Sequence, residues 1–346
     1  MKDVAREAGV SLSTVSYALN GTRPISTATR AKVERAAEKL GFRPNALARG
    51  LASAKSGVLA LVLPPEGGFT ATMAGFVRGA RESAADEGFS LVIWPFAPDD
   101  HQRVHDLVHQ RLADGVIVME VYLDDQRIDA LEESGVPFAM IGRTRELANR
   151  AWVDTDFAAS VDEAVGLLAD LGHTHVAFLS HSERSYQLQY GPSVRAVDGF
   201  ADSTRRRAIV GQVVFAEDSA GDGRRALGAI LDADPATTGI VAMNEFAAIG
   251  AVAELGRRHL SVPGDLSIIG VVTSPQVSLL TVPELTRLSI PAEEMGRAAV
   301  AELIDAMAAK PRRDRPRLFP CVYEPGGSMG PATTPPLTTT RKGTTC

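Results

Sequence analysis

At 346 residues, with 45% hydrophobic and 23% charged residues, the chain is a globular protein too long for a single ordinary domain. Cys321 and Cys346 are its two cysteines, too few for a disulfide framework, and no apolar run nears the roughly 20 residues of a membrane helix. The net charge of −6 hides an asymmetry: residues 1–56 hold ten basic and four acidic residues, which leaves an excess of twelve negative charges on the remainder. A small basic module joined to a large acidic one points to a local surface for anions such as nucleic acid. Residues 1–7 lack the apolar core of a secretion signal, so a cytoplasmic location is expected.

Along the first segment, a short helix is predicted over 2–8, with Gly9 where a left-handed cap belongs. Ser11 is an N-cap for a second helix over 12–20. Two short helices joined by a tight turn form a helix-turn-helix. Gly21 to Pro24 breaks the chain, and Ser26 caps a third helix over 27–40, with Val33, Ala36, Ala37 and Leu40 turned inward. Val15 and Leu19 face the core of the second helix, which leaves Leu12, Ser13, Ser16 and Tyr17 outward to reach base edges in a major groove. Thr14, Asn20, Ser26 and Thr29 are short polar residues at helix ends, suited to phosphates. The stretch 45–53 is too short, and too weakened by Gly50, to stay helical alone, so it needs a partner to hold it.

From residue 57 the pattern changes to strands, predicted at 58–63, 90–94, 115–119, 138–141, 175–180, 209–215, 239–242 and 266–271. Amphipathic helices fall between them, among them 73–87, 158–171, 224–231 and 246–258. Regular alternation implies doubly wound parallel sheets, about two lobes of them, with ligands at the carboxyl ends of strands. His101, His105 and His109 share a helix face, which reads as solvated surface; no metal or cofactor is expected. No nucleophile elbow, phosphate loop or zinc-spaced cysteine pattern is present, so an enzyme is not expected. The Pro/Thr-rich stretch 326–346 reads as a disordered tail.

Particular motifs carry a resemblance. Val4-Ala5, Ala8-Gly9-Val10-Ser11, Thr14-Val15-Ser16, Asn20, Thr29-Arg30 and the run from Pro44 to Leu51 resemble the headpiece and hinge of the lactose-repressor (LacI/GalR) family without a gap. Leu171-Gly172-His173, Asn244, residues 262–270 and residues 291–296 resemble its effector domain. The resemblance implies a helix-turn-helix headpiece over 1–44, a hinge over 45–56, and a two-lobed effector domain over 57–325 like periplasmic sugar-binding proteins. Three crossovers would join the lobes, with residues near 287–318 returning to the first. It implies a homodimer on a pseudo-palindromic DNA operator, with Asn45, Ala48 and Leu51 at the minor groove and Leu51 wedged into the central base step. Tyr17 stands where the family often has arginine. The match begins a few residues inside the family's usual start, so a phosphate contact from that end is expected to be missing or to lie upstream.

The resemblance also implies a sugar-like effector, held by candidates Phe69, Met73, Arg143, Arg195, Phe215, Asn244 and Glu245, with Trp94 a further aromatic. Three departures mark this pocket: Glu245 replaces an aspartate, Arg195 lies four rather than three residues before Gly199-Phe200, and Val271-Val272 replaces an acidic pair. The reading is a repressor of carbohydrate-related genes. Its rival is a small-molecule-binding protein that grips DNA nonspecifically.

Overall fold

The computed structural model describes residues 1–20, 23–42, 56–63, 70–96, 100–147, 149–310 and 317–333. Three helices form the headpiece: α1 (Lys2–Ala8), α2 (Leu12–Asn20) and α3 (Thr27–Lys39). Gly9 closes α1 at φ 63°, a conformation glycine adopts without a Cβ penalty. The Ser11 hydroxyl accepts from the Thr14 amide at 3.1 Å and Ser26 accepts from Thr29 at 3.1 Å, so both later helices start on a serine cap. Val4, Val15, Ala18, Val33, Ala36 and Ala37 make the core, with Leu19, Ile25 and Phe42 packed on it. Leu40 departs from expectation: it is the cap residue after α3 and is 44% exposed, because Phe42 folds back to close that end of the core.

The remainder forms two α/β lobes. In chain order the first holds β1 (Val58–Leu63), α4 (Ala71–Asp86), β2 (Ser90–Pro95), α5 (His101–His109), β3 (Gly115–Met119), α6 (Gln126–Ser134), β4 (Phe138–Ile141) and β5 (Ala151–Thr155). The second holds α7 (Phe157–Asp170), β6 (His175–Ser180), α8 (Glu183–Gln187), α9 (Gly191–Arg207), β7 (Val210–Phe215) and α10 (Ala220–Ala233). It continues with β8 (Gly239–Ala242), α11 (Glu245–Arg257), β9 (Ser267–Val271), α12 (Pro275–Ser278) and β10 (Thr286–Ser289). The chain then returns through α13 (Ala292–Met307) and β11 (Leu318–Phe319) and crosses again to β12 (Val322–Glu324).

One sheet has the order β11-β5-β4-β3-β1-β2, parallel throughout; the other runs β12-β10-β9-β8-β6-β7, with β12 antiparallel on its edge. The chain passes between lobes at about 156, 290 and 320, so the expected three crossovers and the return of residues near 287–318 are both present. Side chains of α13 lie in the first lobe's core beside Leu59, Leu61 and Phe76. Four strands fall outside the eight predicted ones: the short pieces β11 and β12, and β5 and β10. Of these, β5 and β10 are five and four residues long with a charged residue inside, and each exists because a neighbouring strand pairs with it.

Residues 326–333 depart from the disordered tail expected there. Residues 326–333 pack on the second lobe: the Ser328 hydroxyl accepts from the Thr286 amide at 2.8 Å, and Ala332 donates to the Leu171 carbonyl at 2.8 Å. His173 donates from Nε2 to the Gly330 carbonyl at 3.1 Å and accepts at Nδ1 from Thr238 at 2.8 Å; burial pushes its pKa down, in keeping with a neutral ring. These hydrogen bonds, with Met329 packed on the second lobe's core, hold the segment, which is why composition concealed it.

Candidate functional site

On the headpiece, α2 presents one polar face. Leu12 is 46% exposed and Ser13 is exposed, while Ser16 and Tyr17 are half-buried. The Ser11 hydroxyl lies 2.8 Å from that of Ser13 and 2.7 Å from that of Thr14, so a small cluster of donors surrounds the helix N-terminus, where anions are favoured. Ser26 and Thr29 repeat the arrangement at the start of α3, their hydroxyls 2.8 Å apart. The guanidinium of Arg23 sits 5.3 Å over the ring of Tyr17, which sets a cation beside the row expected to read bases. Asn20 ends α2. Asn45, Ala48 and Leu51 lie outside the described residues.

Between the lobes, β1 lies between β2 and β3, and β6 between β7 and β8, so each sheet changes winding direction there. The carboxyl ends of these strands and their neighbours face one another. Gly142, at φ 117° and with a Cβ position 3.0 Å from Val121, turns β4 so that Arg143 enters the seam. Arg143 Nε lies 3.1 Å from Asp154 Oδ2, and Arg195 Nη1, from the second lobe, lies 3.6 Å from the same oxygen. Arg195 also donates from Nη2 to the Arg143 carbonyl at 2.7 Å. Asp154 is 2% exposed. Burial pushes its carboxyl up to about 6 against the pull of Arg195 and Arg143, and burial likewise lowers Arg195. Arg143 Nε, Arg195 Nη1 and Asp154 Oδ2 are buried and ion-paired to one another, yet make no well-aligned hydrogen bond. A cavity of about 490 Å³ opens along this seam, walled by Arg143, Arg145 and Arg195 with Leu123, Tyr186 and Val194.

The lobes are stitched beside it. Leu123 donates to the Gln189 carbonyl at 2.8 Å and Gly191 to the Val121 carbonyl at 3.1 Å, and the Tyr122 and Tyr190 rings are 5.6 Å apart. Of the other expected ligand residues, Glu245 has one oxygen accepting from the Ser274 amide. Burial raises its pKa. Asn244 is fully buried: Oδ1 caps α11 on Ala247 and Nδ2 donates to the carbonyls of Ala216 and Glu217, so it shapes the wall. Phe215 packs 5.3 Å from the Tyr186 ring at the rim. Met73 is buried in the first lobe's core and Trp94 lies partly buried against that lobe's outer core. Phe69 lies outside the described residues. Sequence reasoning missed Asp154, Glu120, Tyr122, His181, Tyr190 and Asp218. The signal for them was position: all but Tyr190, the N-cap of α9, end a strand or follow its carboxyl end.

A three-helix DNA-reading headpiece on a two-lobed domain with a ligand cleft defines a ligand-responsive DNA-binding protein. Residues 1–45 match the description of bacterial regulatory proteins of the lacI family, and residues 165–329 match a periplasmic binding protein-like domain. An HTH-type transcriptional regulator from the aml 5′ region of Streptomyces limosus is 30% identical over 322 residues, covering 89% of this chain and 88% of that protein. The lac repressor dimer bound to operator and the anti-inducer ONPF shares the fold, with a TM-score of 0.82 at 23% identity over 95% of this chain and 98% of that one. The transcriptional regulator CelR in complex with cellobiose gives 0.70 at 24% identity, over 94% and 98%. The chain belongs to the lacI family of bacterial regulatory proteins and is a DNA-binding transcription regulator. No helix among the described residues is long and apolar enough to cross a membrane.

Proposed function

We propose that the chain is a cytoplasmic, homodimeric repressor of carbohydrate-related genes, and that a sugar-like ligand between its lobes governs its hold on a pseudo-palindromic operator. One observation carries the ligand part: the Arg143–Asp154–Arg195 group brings two guanidiniums and a buried carboxylate together across the lobes, paired at 3.1 and 3.6 Å without a well-aligned hydrogen bond. Hydroxyl groups of a polyol answer such a set, each donating to a carboxylate and accepting from a guanidinium. Both lobes contribute, so the ligand favours closure, and closure sets the spacing of the hinges of a dimer. Met73 and Asn244 support the walls, Glu245 and Phe215 border the space, and Phe69 faces it by the resemblance. Cellobiose in the CelR complex supports a sugar as the class.

For DNA, Leu12, Ser13, Ser16 and Tyr17 read bases, Thr14, Asn20, Ser26 and Thr29 hold phosphates, and Asn45, Ala48 and Leu51 meet the minor groove. Selection of operators from random duplex DNA by the full-length chain, at one stated salt concentration, tests this. Two half-sites related by a dyad around a C-G centre are expected. Recovery of unrelated sequences with steep salt dependence alone would withdraw specific reading.

A further inference from the structure

The junction between hinge and lobe is built around one carboxylate. Residues 43–55 lie outside the described residues, so Ser56 is where the chain is next followed. There Asp114, just ahead of β3, takes three donors of the linker. Its Oδ1 accepts from the Ser56 amide at 2.6 Å and the Ser56 hydroxyl at 3.0 Å, and its Oδ2 accepts from the Gly57 amide at 2.8 Å. The Ser56 hydroxyl in turn accepts from the Val58 amide at 3.2 Å, and the Asp114 amide donates to the Val58 carbonyl at 2.8 Å. Gly57 permits this path: it lies at φ 70°, and a Cβ there would meet nothing within 4 Å, so backbone conformation alone favours glycine. A carboxylate that spans two consecutive amides fixes the direction of the chain entering β1 as well as its position, through the stronger, charge-assisted kind of hydrogen bond.

Asp114 also leads into β3, whose five residues are all buried and which pairs with β1 from Leu59–Gly115 to Val62–Val118. Just past the other end of β3 stand Val121 and Leu123, whose backbone joins the second lobe at Gly191 and Gln189. A single buried strand of about 17 Å thus runs from the interlobe contact to the linker clamp. Packing leaves it little room to absorb movement. A Cβ on Gly115 would stand 3.0 Å from Leu303 of α13, and close-packed interiors transmit displacement rather than damp it.

We propose that Asp114 is the positioning residue through which the lobes set the direction of the hinge, and with it the preference for operator over other DNA. Its response to ligand rests on the interlobe reading above; the clamp itself does not. The test is anisotropy titration of the full-length chain, Asp114→Ala and Asp114→Asn against the selected operator and a random duplex at one salt concentration. Each is repeated with glucose, galactose, ribose, cellobiose and maltose, whose binding is measured by calorimetry. Without sugar, Asp114→Ala should lose roughly tenfold in operator affinity and keep its affinity for random duplex, because the headpiece is untouched while the hinge loses its fixed exit. Asp114→Asn keeps one acceptor for Ser56 and should fall between. With a sugar that binds, the change in operator affinity should shrink to under about twofold in the alanine variant while its sugar affinity holds. Unchanged operator affinity, equal losses on both DNAs, or a full sugar response in the alanine variant would overturn the proposal. So would loss of sugar binding in that variant, which would make Asp114 a support of the lobe alone. An unsubstituted chain indifferent to every sugar tried would overturn the ligand reading instead, and the sugar-free titrations would still decide for or against Asp114.

Discussion

Asp154 shows how much one residue can do by position alone. A carboxyl pushed from an ordinary 3.8 to about 6 keeps a proton in the fold that the unfolded chain has already released. The folded state therefore binds more protons between those values, and stability of the ligand-free chain falls as pH rises from about 4 to 6. A shift of about two units corresponds to roughly 3 kcal/mol. Glu120 and Glu245, also raised by burial, act in the same sense. Denaturant melts at pH 4.5, 5.5 and 6.5 should show the decline, and Asp154→Asn should make it shallower; an unchanged slope would mean the carboxyl is not held at that value. Sugar affinity should move oppositely, tightening through pH 6 as the acceptor ionises. None of this was legible in the sequence. Arg143 and Arg195 could be picked out as strand-end or helix arginines, but Asp154 itself interrupts the apolar run of its strand, and the three meet only through the fold.

At the scale of elements, the periodic parts read well because local chemistry and burial agree. The serine caps, the Gly9 stop and the apolar face of α2 were all visible, and α4, α7 and α11 begin within two residues of expectation. Strands β5 and β10 were invisible because pairing makes them, and residues 326–333 because side-chain hydrogen bonds to the second lobe hold them. Close helix packing is similarly cryptic. A Cβ on Gly79 in α4 would stand 2.0 Å from the Glu293 carbonyl of α13, so Gly79→Ala should cost about 1–3 kcal/mol. Gly256 in α11 meets nothing within 4 Å, and Gly256→Ala should instead add about 0.4–1 kcal/mol. Thermal unfolding of the two variants should shift in opposite directions; parallel shifts would contradict the packing account. For the hinge, Leu51→Ala should weaken specific operator binding far more than nonspecific binding, and equal losses by anisotropy titration would remove the wedge.

The whole molecule carries an exposed apolar patch that a lone protomer would leave in water. Leu279, Leu280 and Val282, between α12 and β10, are 67%, 68% and 91% exposed. We assign this patch to the partner protomer of the proposed dimer, because a dyad-related operator needs two headpieces held in register. Leu280→Arg should shift the chain from dimer toward monomer in sedimentation experiments and lower operator affinity, and a dimer of undiminished stability would place the interface elsewhere. Closure of the two lobes then has a lever to act on, since crossovers near 156, 290 and 320 let them turn without unfolding. The account stands or falls on coupling between cleft and headpiece. The most direct measurement is affinity for the selected operator at one salt concentration, with and without the tightest-binding sugar, for the unsubstituted chain and for Asp154→Asn. A change of about fivefold or more with sugar is predicted for the former, with the variant still binding operator but failing to respond. A sugar that binds the cleft yet leaves operator affinity unchanged, or changes it equally in both proteins, would contradict the account.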